Sequence, residues 1–380
     1  MREEGKSKAE IFKELEKYRD LDYRYENGRI LSSMCTIPHE IAKEVFMNFF
    51  ETNLGDPGLF SGTNYIEKEV ISALGSLLGK NKACGYLVSG GTEANMMAMR
   101  VARNLKGIER PEVIIPESAH FSFDKAGDVL GINMRKVPLD GNFRADLEAV
   151  ENSIGKNTIA IVGVAGTTEF GVIDPVEELA KLSLDYDLFL HIDAAFGGFV
   201  IPFLKEMGYN LPDFDFSING VDSITIDPHK MGLAPIPSGG ILFSDPKVLK
   251  YLEVETPYLT EPKQFTMVGT RPGASAAATW AVLNLLGRKG YREIVKNCME
   301  LTYYLADGIK KLGLKLPVEP TLNVLAFHVE DLDGVIKRLK KEGWIVSRTR
   351  KPPCIRIVIM PHVKKEHIDD FLETLEKILG

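Results

Sequence analysis

The chain has 380 residues, 44% hydrophobic and 26% charged, with a formal net charge of -7. That length exceeds one typical domain and supports a sizeable core without disulfides. The charge is spread along the chain with no long basic block, which argues against nucleic acid as the main partner.

The start, Met1 to Lys6, is charged and no apolar stretch follows it, so no secretory signal is expected. The most apolar run, Ile159 to Gly166, is too short to span a bilayer. Cys35, Cys84, Cys298 and Cys354 are scattered with no CxxC pair, which reads as buried free thiols in a reducing cytosol. Glutamine occurs once, at Gln264, while Lys and Glu abound, a bias seen in proteins from hot environments.

Ser7 to Asp20 carries Ile11, Leu15 and Tyr18 at spacings of four and three, which predicts an amphipathic helix. Further on, helices alternate with short apolar strands. Ile66 to Leu78 reads as a helix, and Tyr86 to Val88 as a strand ending at Ser89-Gly90-Gly91. Thr92 to Leu105 is a helix and Val113 to Ile115 a strand. Ile159 to Val164 and Leu188 to Ile192 are strands separated by a helix from Val176 to Leu184. Ser223 to Ile226 and Gly240 to Phe243 continue the series. Such alternation, with strands apolar throughout, predicts an α/β fold whose mostly parallel sheet is covered on both faces.

After a helical stretch from Ala274 to Leu312 the pattern changes. Val324 to Val329, Trp344 to Ser347 and Ile355 to Met360 read as strands, with helices at Asp331 to Lys341 and Lys365 to Leu379. The expected division is an N-terminal helical segment 1–52, a large domain 53–300 and a small α+β domain 301–380. There is no internal repeat.

In open α/β sheets ligands collect beyond the carboxyl ends of the strands, and four segments there carry candidate chemistry. Ser89-Gly90-Gly91-Thr92 puts small residues at a helix start, where free N–H groups and the helix dipole favour a phosphate. A glycine-rich turn with Thr92 as the cap is the plainer reading. His120 follows a strand, where it is either a hydrogen-bonded structural residue or a flat ring that stacks on a cofactor. Asp193 ends a strand and small residues follow it, leaving room for a flat ligand. A carboxylate there can hold a pyridine nitrogen charged; turn capping is the alternative, and a metal site with His191 lacks an evident third ligand. Lys230 follows the apolar strand Ile224 to Ile226, where desolvation and neighbouring positive charge would depress its pKa and make it nucleophilic. The four in this order are far more specific than any one alone.

The set resembles the fold type I pyridoxal-phosphate enzymes and, within them, the group II amino-acid decarboxylases, archaeal tyrosine/aspartate decarboxylases above all. The likeness runs from Leu54-Gly55-Asp56-Pro57-Gly58 to the final strands. Its most specific elements are His191-Ile192-Asp193-Ala194-Ala195 and Asp227-Pro228-His229-Lys230. It implies a fold type I transferase-like architecture, with a mostly parallel seven-stranded sheet and a small C-terminal α+β domain. It also implies that pyridoxal 5'-phosphate is carried as a Schiff base on Lys230. Asp193 would pair with the pyridine nitrogen, Ala195 and His120 would sandwich the ring, and Gly91, Thr92 and His229 would hold the phosphate. Thr167 and Thr168 would lie near the ring substituents and Asp227 beside the cofactor.

The resemblance further implies a cytoplasmic homodimer with a shared site, Thr270 in Gly269-Thr270-Arg271 reaching a phosphate across the interface. Tyr258, on a segment matching a mobile loop, would be a proton donor; a packed tyrosine is the alternative. Many relatives have Asn at the position of Asp227, and the Asp resembles sphingosine-phosphate lyases, so a carbon–carbon lyase is a second reading. A non-catalytic pyridoxal-phosphate-binding scaffold is a third. The implied reaction is decarboxylation of L-aspartate to β-alanine, a coenzyme A precursor, ahead of tyrosine to tyramine and of glutamate. An acidic side chain calls for a fixed arginine, for which Arg356 and Arg271 are the candidates, ahead of Arg348. Leu31, Met34 and Ile37 would suit a tyrosine ring instead.

Overall fold

A seven-stranded sheet organises the large domain in the computed structural model, which describes residues 1–380. Its strands are β1 (Cys84–Val88), β2 (Glu112–Pro116), β3 (Asn133–Val137), β4 (Thr158–Val164), β5 (Phe189–Asp193), β6 (Ser223–Ile226) and β7 (Gly239–Phe243). Their order is β1-β7-β6-β5-β4-β2-β3, and β7 alone runs against the rest. The helices of this region are α1 (Lys8–Arg19), α2 (Glu40–Asn48), α3 (Ser61–Leu77), α4 (Gly91–Lys106), α5 (Ser122–Leu130), α6 (Leu147–Ser153), α7 (Val176–Asp185) and α8 (Ile201–Glu206).

Both faces of the sheet are covered, as fully apolar strands require. On β5, Leu190 and Ile192 point to the core formed with Leu74 of α3 and Leu179 of α7. Phe189 points the other way, into the core formed with Met97 of α4 and Phe123 of α5. His191 and Asp193 share the Phe189 face by the two-residue period of a strand. They therefore look toward α4. The edge strand β3 escapes the sequence pattern because Asn-Met-Arg-Lys leaves it largely solvent-exposed and only Val137 is buried.

The long helix α9 (Gly273–Lys311) is broken at Gly287, whose φ of 52° lies in the left-handed region that glycine tolerates. Its first part packs on the large domain through Ala276, Ala278 and Val282. Its last part contributes Leu305 and Ile309 to a separate core. That second core lies against a three-stranded antiparallel sheet, following a short hairpin of β8 (Val254–Glu255) and β9 (Lys263–Gln264). The sheet is β10 (Val324–Phe327), β12 (Ile355–Val358) and β11 (Ser347–Arg348), in that order, backed by α10 (Leu332–Lys341) and α11 (Lys365–Leu379).

One expectation needs correcting. The strand at Trp344 to Ser347 pairs with β12 only through Ser347 and Arg348, because Trp344 turns inward onto Phe371 at a ring distance of 5.2 Å. Ile345 instead bridges Ile30, and Leu31 is buried in the small-domain core. The N-terminal segment is thereby stitched to the small domain. The helix α1 forms and is capped by Ser7, but none of its residues is buried within the chain. Its stripe of Ile11, Leu15 and Tyr18 faces outward.

Replacing Phe371 by Ala removes a fully buried ring that Trp344 meets edge-on. The cost should be about 3–5 kcal/mol, measured by urea unfolding monitored at Trp344.

Candidate functional site

The carboxyl ends of five strands surround a cavity of about 330 Å³. After β1 come Ser89, Gly90, Gly91 and Thr92; after β2 comes His120; after β4 come Gly166 and Thr168. Asp193 and Ala195 follow β5, and Asp227, His229 and Lys230 follow β6. Met34, Asn95, Phe196 and Ile236 complete much of the wall.

Parallel pairing of β5 and β6 sets Asp193 beside Thr225, and the chain after each strand stays joined. Asp227 N–H donates to the Ala195 carbonyl at 3.2 Å, and Lys230 N–H to the Asp227 carbonyl at 3.0 Å. That tight turn returns the Lys230 side chain toward Asp227, with Nζ 3.1 Å from Oδ2. His229 Nε2 lies 3.8 Å from the same oxygen, while its Nδ1 bonds the Ser238 carbonyl. Asp227 Oδ1 is buried and has no partner.

The expected depression of the Lys230 pKa is reversed. Burial pulls it down, but the carboxylates of Asp227 and Asp193, with the hydrogen bond to Asp227, more than offset this and leave it raised. The neighbours are acidic rather than basic, so the free lysine is a paired ammonium. His120 is lowered by burial, partly opposed by Asp193, and so stays neutral near pH 7. Its Nδ1 accepts the Ser122 N–H at 3.3 Å, which leaves the proton on Nε2.

At the other end, α4 starts at Gly91 with no side-chain cap, so its first N–H groups face the cavity unspent. Close packing depends on glycine here: a Cβ on Gly239 would sit 2.4 Å from the Gly90 Cα, and one on Gly91 3.0 Å from Asp227 Oδ2. Thr92 is therefore not the cap of this helix but a residue of its first turn. An uncapped N-terminus, a half-buried lysine and a carboxylate on the far wall match the phosphate, aldehyde and ring nitrogen of pyridoxal 5'-phosphate. No cluster of His, Cys, Asp or Glu is arranged to hold a metal.

The remaining sequence candidates lie elsewhere. Thr167 is fully buried, and its hydroxyl accepts the Val172 N–H at 3.2 Å. Thr270 is exposed and outside the cavity. Tyr258 is 84% exposed at the β8–β9 hairpin. Arg271 is committed to a buried ion pair with Glu67 and to the carbonyls of Leu87 and Leu54 at 2.7 and 3.1 Å, so it is not free for a substrate. Arg348 pairs with Asp333 at the surface. Arg356 is buried, donates from Nη1 to the Ser32 carbonyl and Ser347 Oγ at 3.0 Å each, and leaves Nε and Nη2 without partners. Burial, partly opposed by Glu169, pulls its pKa down to about 10, so it remains cationic near pH 7. Of the residues suggested for a tyrosine ring, only Met34 borders the cavity.

Sequence reasoning passed over Asn95. It lies on the α4 face toward the sheet, donates from Nδ2 to Asp193 Oδ2 at 2.9 Å, and is fully buried. The signal was available: an Asn among Ala94, Met97 and Ala98 on an inward helical face needs buried partners.

The chain is similar over most of its length to known proteins. The model of the pyridoxal-dependent decarboxylase conserved domain matches residues 64–330. A protein of Methanothermobacter thermautotrophicus named as a probable L-tyrosine/L-aspartate decarboxylase is 56% identical over 93% of this chain and 98% of its own. The L-aspartate decarboxylase of Thermococcus kodakarensis is 52% identical over 99% of this chain and 98% of its own. Among solved structures, a sphingosine-1-phosphate lyase of Burkholderia pseudomallei superposes with a TM-score of 0.93 at 27% identity, covering 100% of this chain and 92% of that one. A glutamate decarboxylase of Lactobacillus brevis does so at 0.88 and 24% identity, over 100% and 94% of the two chains, which bears on the fold alone.

Gly239→Ala should push β7 away from the Gly90 turn. Binding of pyridoxal phosphate to the apoprotein should weaken roughly tenfold or more, by the cost of overpacking, in a fluorescence titration.

Proposed function

The chain belongs to the pyridoxal-dependent decarboxylases and uses pyridoxal 5'-phosphate to remove carbon dioxide from an amino acid, and from that premise we propose that its substrate is L-aspartate, released as β-alanine. The observation that carries this reading is Arg356, buried with two donors unspent. Nε and Nη2 form one edge of the guanidinium, the fork that suits a carboxylate. The relatives named for aspartate support the same substrate.

When bound, the cofactor supplies a charged ring that accepts the electron pair left behind as carbon dioxide departs. The rest of the chemistry belongs to the chain. Lys230 is the amine that takes the cofactor's aldehyde; as an ammonium it must first yield a proton, and Asp227 at 3.1 Å is placed to hold it. Asp193 would pair with the ring nitrogen and favour its protonated form. Neutral His120 would stack on one ring face and Ala195 pack on the other. Gly91, Thr92 and His229 would hold the phosphate at the start of α4, and Thr168 would lie near the ring substituents. Arg356 serves the side-chain carboxylate better than the departing one. A fork on the departing group would stabilise a charge that the transition state is losing.

A homodimer completes this reading. The outward stripe of α1 is apolar and uncovered, and a helix of 12 residues is marginal in water without packing. A second copy would cover it and bring the exposed Tyr258 and Thr270 toward its neighbour's cavity, Tyr258 as proton donor. A cytoplasmic setting fits four free cysteines, and no helix is long and apolar enough to cross a membrane.

Lys230→Ala should abolish turnover and the protein-linked cofactor absorbance; survival of both would sink the assignment of Lys230. In a decarboxylation panel, kcat/KM should favour aspartate over glutamate and tyrosine. Arg356→Leu should cut kcat/KM for aspartate roughly 100-fold while leaving any tyrosine activity largely intact. Equal losses on all three would show that Arg356 does not read the side chain.

A further inference from the structure

Behind Asp193 runs a chain of buried polar side chains that the reaction does not touch. Asn95 Nδ2 donates to Asp193 Oδ2 and to Ser122 Oγ, both at 2.9 Å. Asn95 Oδ1 accepts from Thr225 Oγ1 at 2.7 Å and faces His191 Nε2 at 3.0 Å. His191 Nδ1 lies 2.8 Å from Ser223 Oγ. Asn95, Ser122, His191, Ser223 and Thr225 are all fully buried. They converge because β5 and β6 present alternate residues toward α4, with His191 beside Ser223 and Asp193 beside Thr225.

The shorter of these contacts are all satisfied by one arrangement of donors and acceptors, the Thr225 hydroxyl lying farther from His191 Nε2, at 3.4 Å. The carboxylate of Asp193 can only accept, so Asn95 must turn its NH₂ toward it. The Asn95 carbonyl then faces His191, which must carry its proton on Nε2. Nδ1 is left to accept from the Ser223 hydroxyl. On its other oxygen Asp193 accepts the Ala195 N–H at 3.1 Å. Each carboxylate oxygen is thus held by one donor of the protein, and both keep a lone pair for the cavity.

We propose that Asn95 and His191 are positioning residues that fix the Asp193 carboxylate against the cofactor's ring nitrogen. The inference rests on the reading that Asp193 faces that nitrogen. Burial pulls His191 down to about 4, so the imidazole is neutral throughout the working range. A protonated His191 would place a second cation behind Asp193 and draw the carboxylate away from the ring. A neutral donor chain orients the carboxylate without competing for its charge. Asn95 is the junction, since it alone touches Asp193, His191, Thr225 and Ser122.

The test uses holoenzyme reconstituted with pyridoxal phosphate labelled with ¹⁵N in the ring, alongside steady-state kinetics. His191→Phe keeps a flat ring but no hydrogen bond, and Asn95→Ala removes the junction. Both should move the ring ¹⁵N resonance toward the unprotonated position with little change in KM; Asn95→Ala should lower kcat roughly 10- to 100-fold, the worth of a hydrogen bond to a charged group, and His191→Phe, which loses a neutral bond, roughly tenfold or less. His191→Asn, which can still donate to Asn95, should restore most of both. Should His191→Phe fail to fold, Thr225→Val is nearly isosteric and removes one donor to Asn95; it should shift the resonance the same way, by less. Asp193→Ala is the reference. If it moves the resonance while the other variants leave it in place, the positioning role is wrong. If Asp193→Ala itself leaves it in place, the reading of Asp193 fails, and the positioning role with it.

Discussion

The site turns on one cation held between two carboxylates. Lys230 has only a fifth of its side chain exposed, with Asp227 Oδ2 at 3.1 Å and the charge of Asp193 also acting on it. A charge so enclosed is costly unless paired, and the pairing here is built from backbone. β5 and β6 are neighbours, so the residues that follow them are neighbours too, and Asp227 N–H bonds the Ala195 carbonyl. Once this edge is set, the small residues after β5 leave the cavity open there, with His120 in its wall. The uncapped start of α4 closes the far end. The acidic pairing that holds the lysine charged also places a proton acceptor beside its amine.

Much of this was legible in the sequence because it depends on local pattern. Apolar strands followed by glycine, alanine or a lone polar residue mark the carboxyl edge of a parallel sheet, and Asp193 and Lys230 stand at such ends. Legibility failed where a residue's state is set by a distant partner. Arg271 cannot be told from Arg356 by its neighbours in sequence. Only the fold reveals that Glu67, on α3, takes up the first. The sign of the Lys230 shift failed for the same reason, since it needs the distances to Asp227 and Asp193. Tyr258 and Thr270 belong to a segment whose place the resemblance gave and whose packing within one chain is slight. The strand β3 was missed because its outward residues are polar, and Asn95 because a single Asn on a helix reads as surface.

The two buried arginines show how burial acquires meaning. Arg271 bonds Glu67 and the carbonyls of Leu54 and Leu87, and so ties α3 and β1 to the start of α9. Replacing either partner would strand the other charge in the core. Arg356 is at least as deeply buried and bonds only the neutral Ser32 carbonyl and Ser347 hydroxyl, with Nε and Nη2 unspent. A buried guanidinium without a carboxylate is a standing electrostatic debt that an anion of the right shape relieves. Ser32 belongs to the segment that runs on to Met34 in the cavity wall, and Ser347 to the small-domain sheet. The small domain therefore holds this guanidinium where the N-terminal segment crosses toward the cavity.

Glu93 extends the same logic to the hairpin. Buried in the first turn of α4, it accepts the Ser89 N–H at 2.9 Å on one oxygen and the Val268 N–H at 3.3 Å on the other. Ser89 opens the glycine turn at the cavity, and Val268 lies just beyond the hairpin that carries Tyr258. An acid so close to a helix N-terminus is favoured by the dipole, which makes it a stable anchor rather than a competitor for the cavity. One carboxylate thus fastens two segments that are otherwise far apart in sequence. Neither can shift far without stretching a hydrogen bond to a charge, a cost larger than for a neutral pair. The glycine turn at the start of α4 and the hairpin that bears the exposed tyrosine are therefore constrained by the same side chain, and the geometry of each depends on the other.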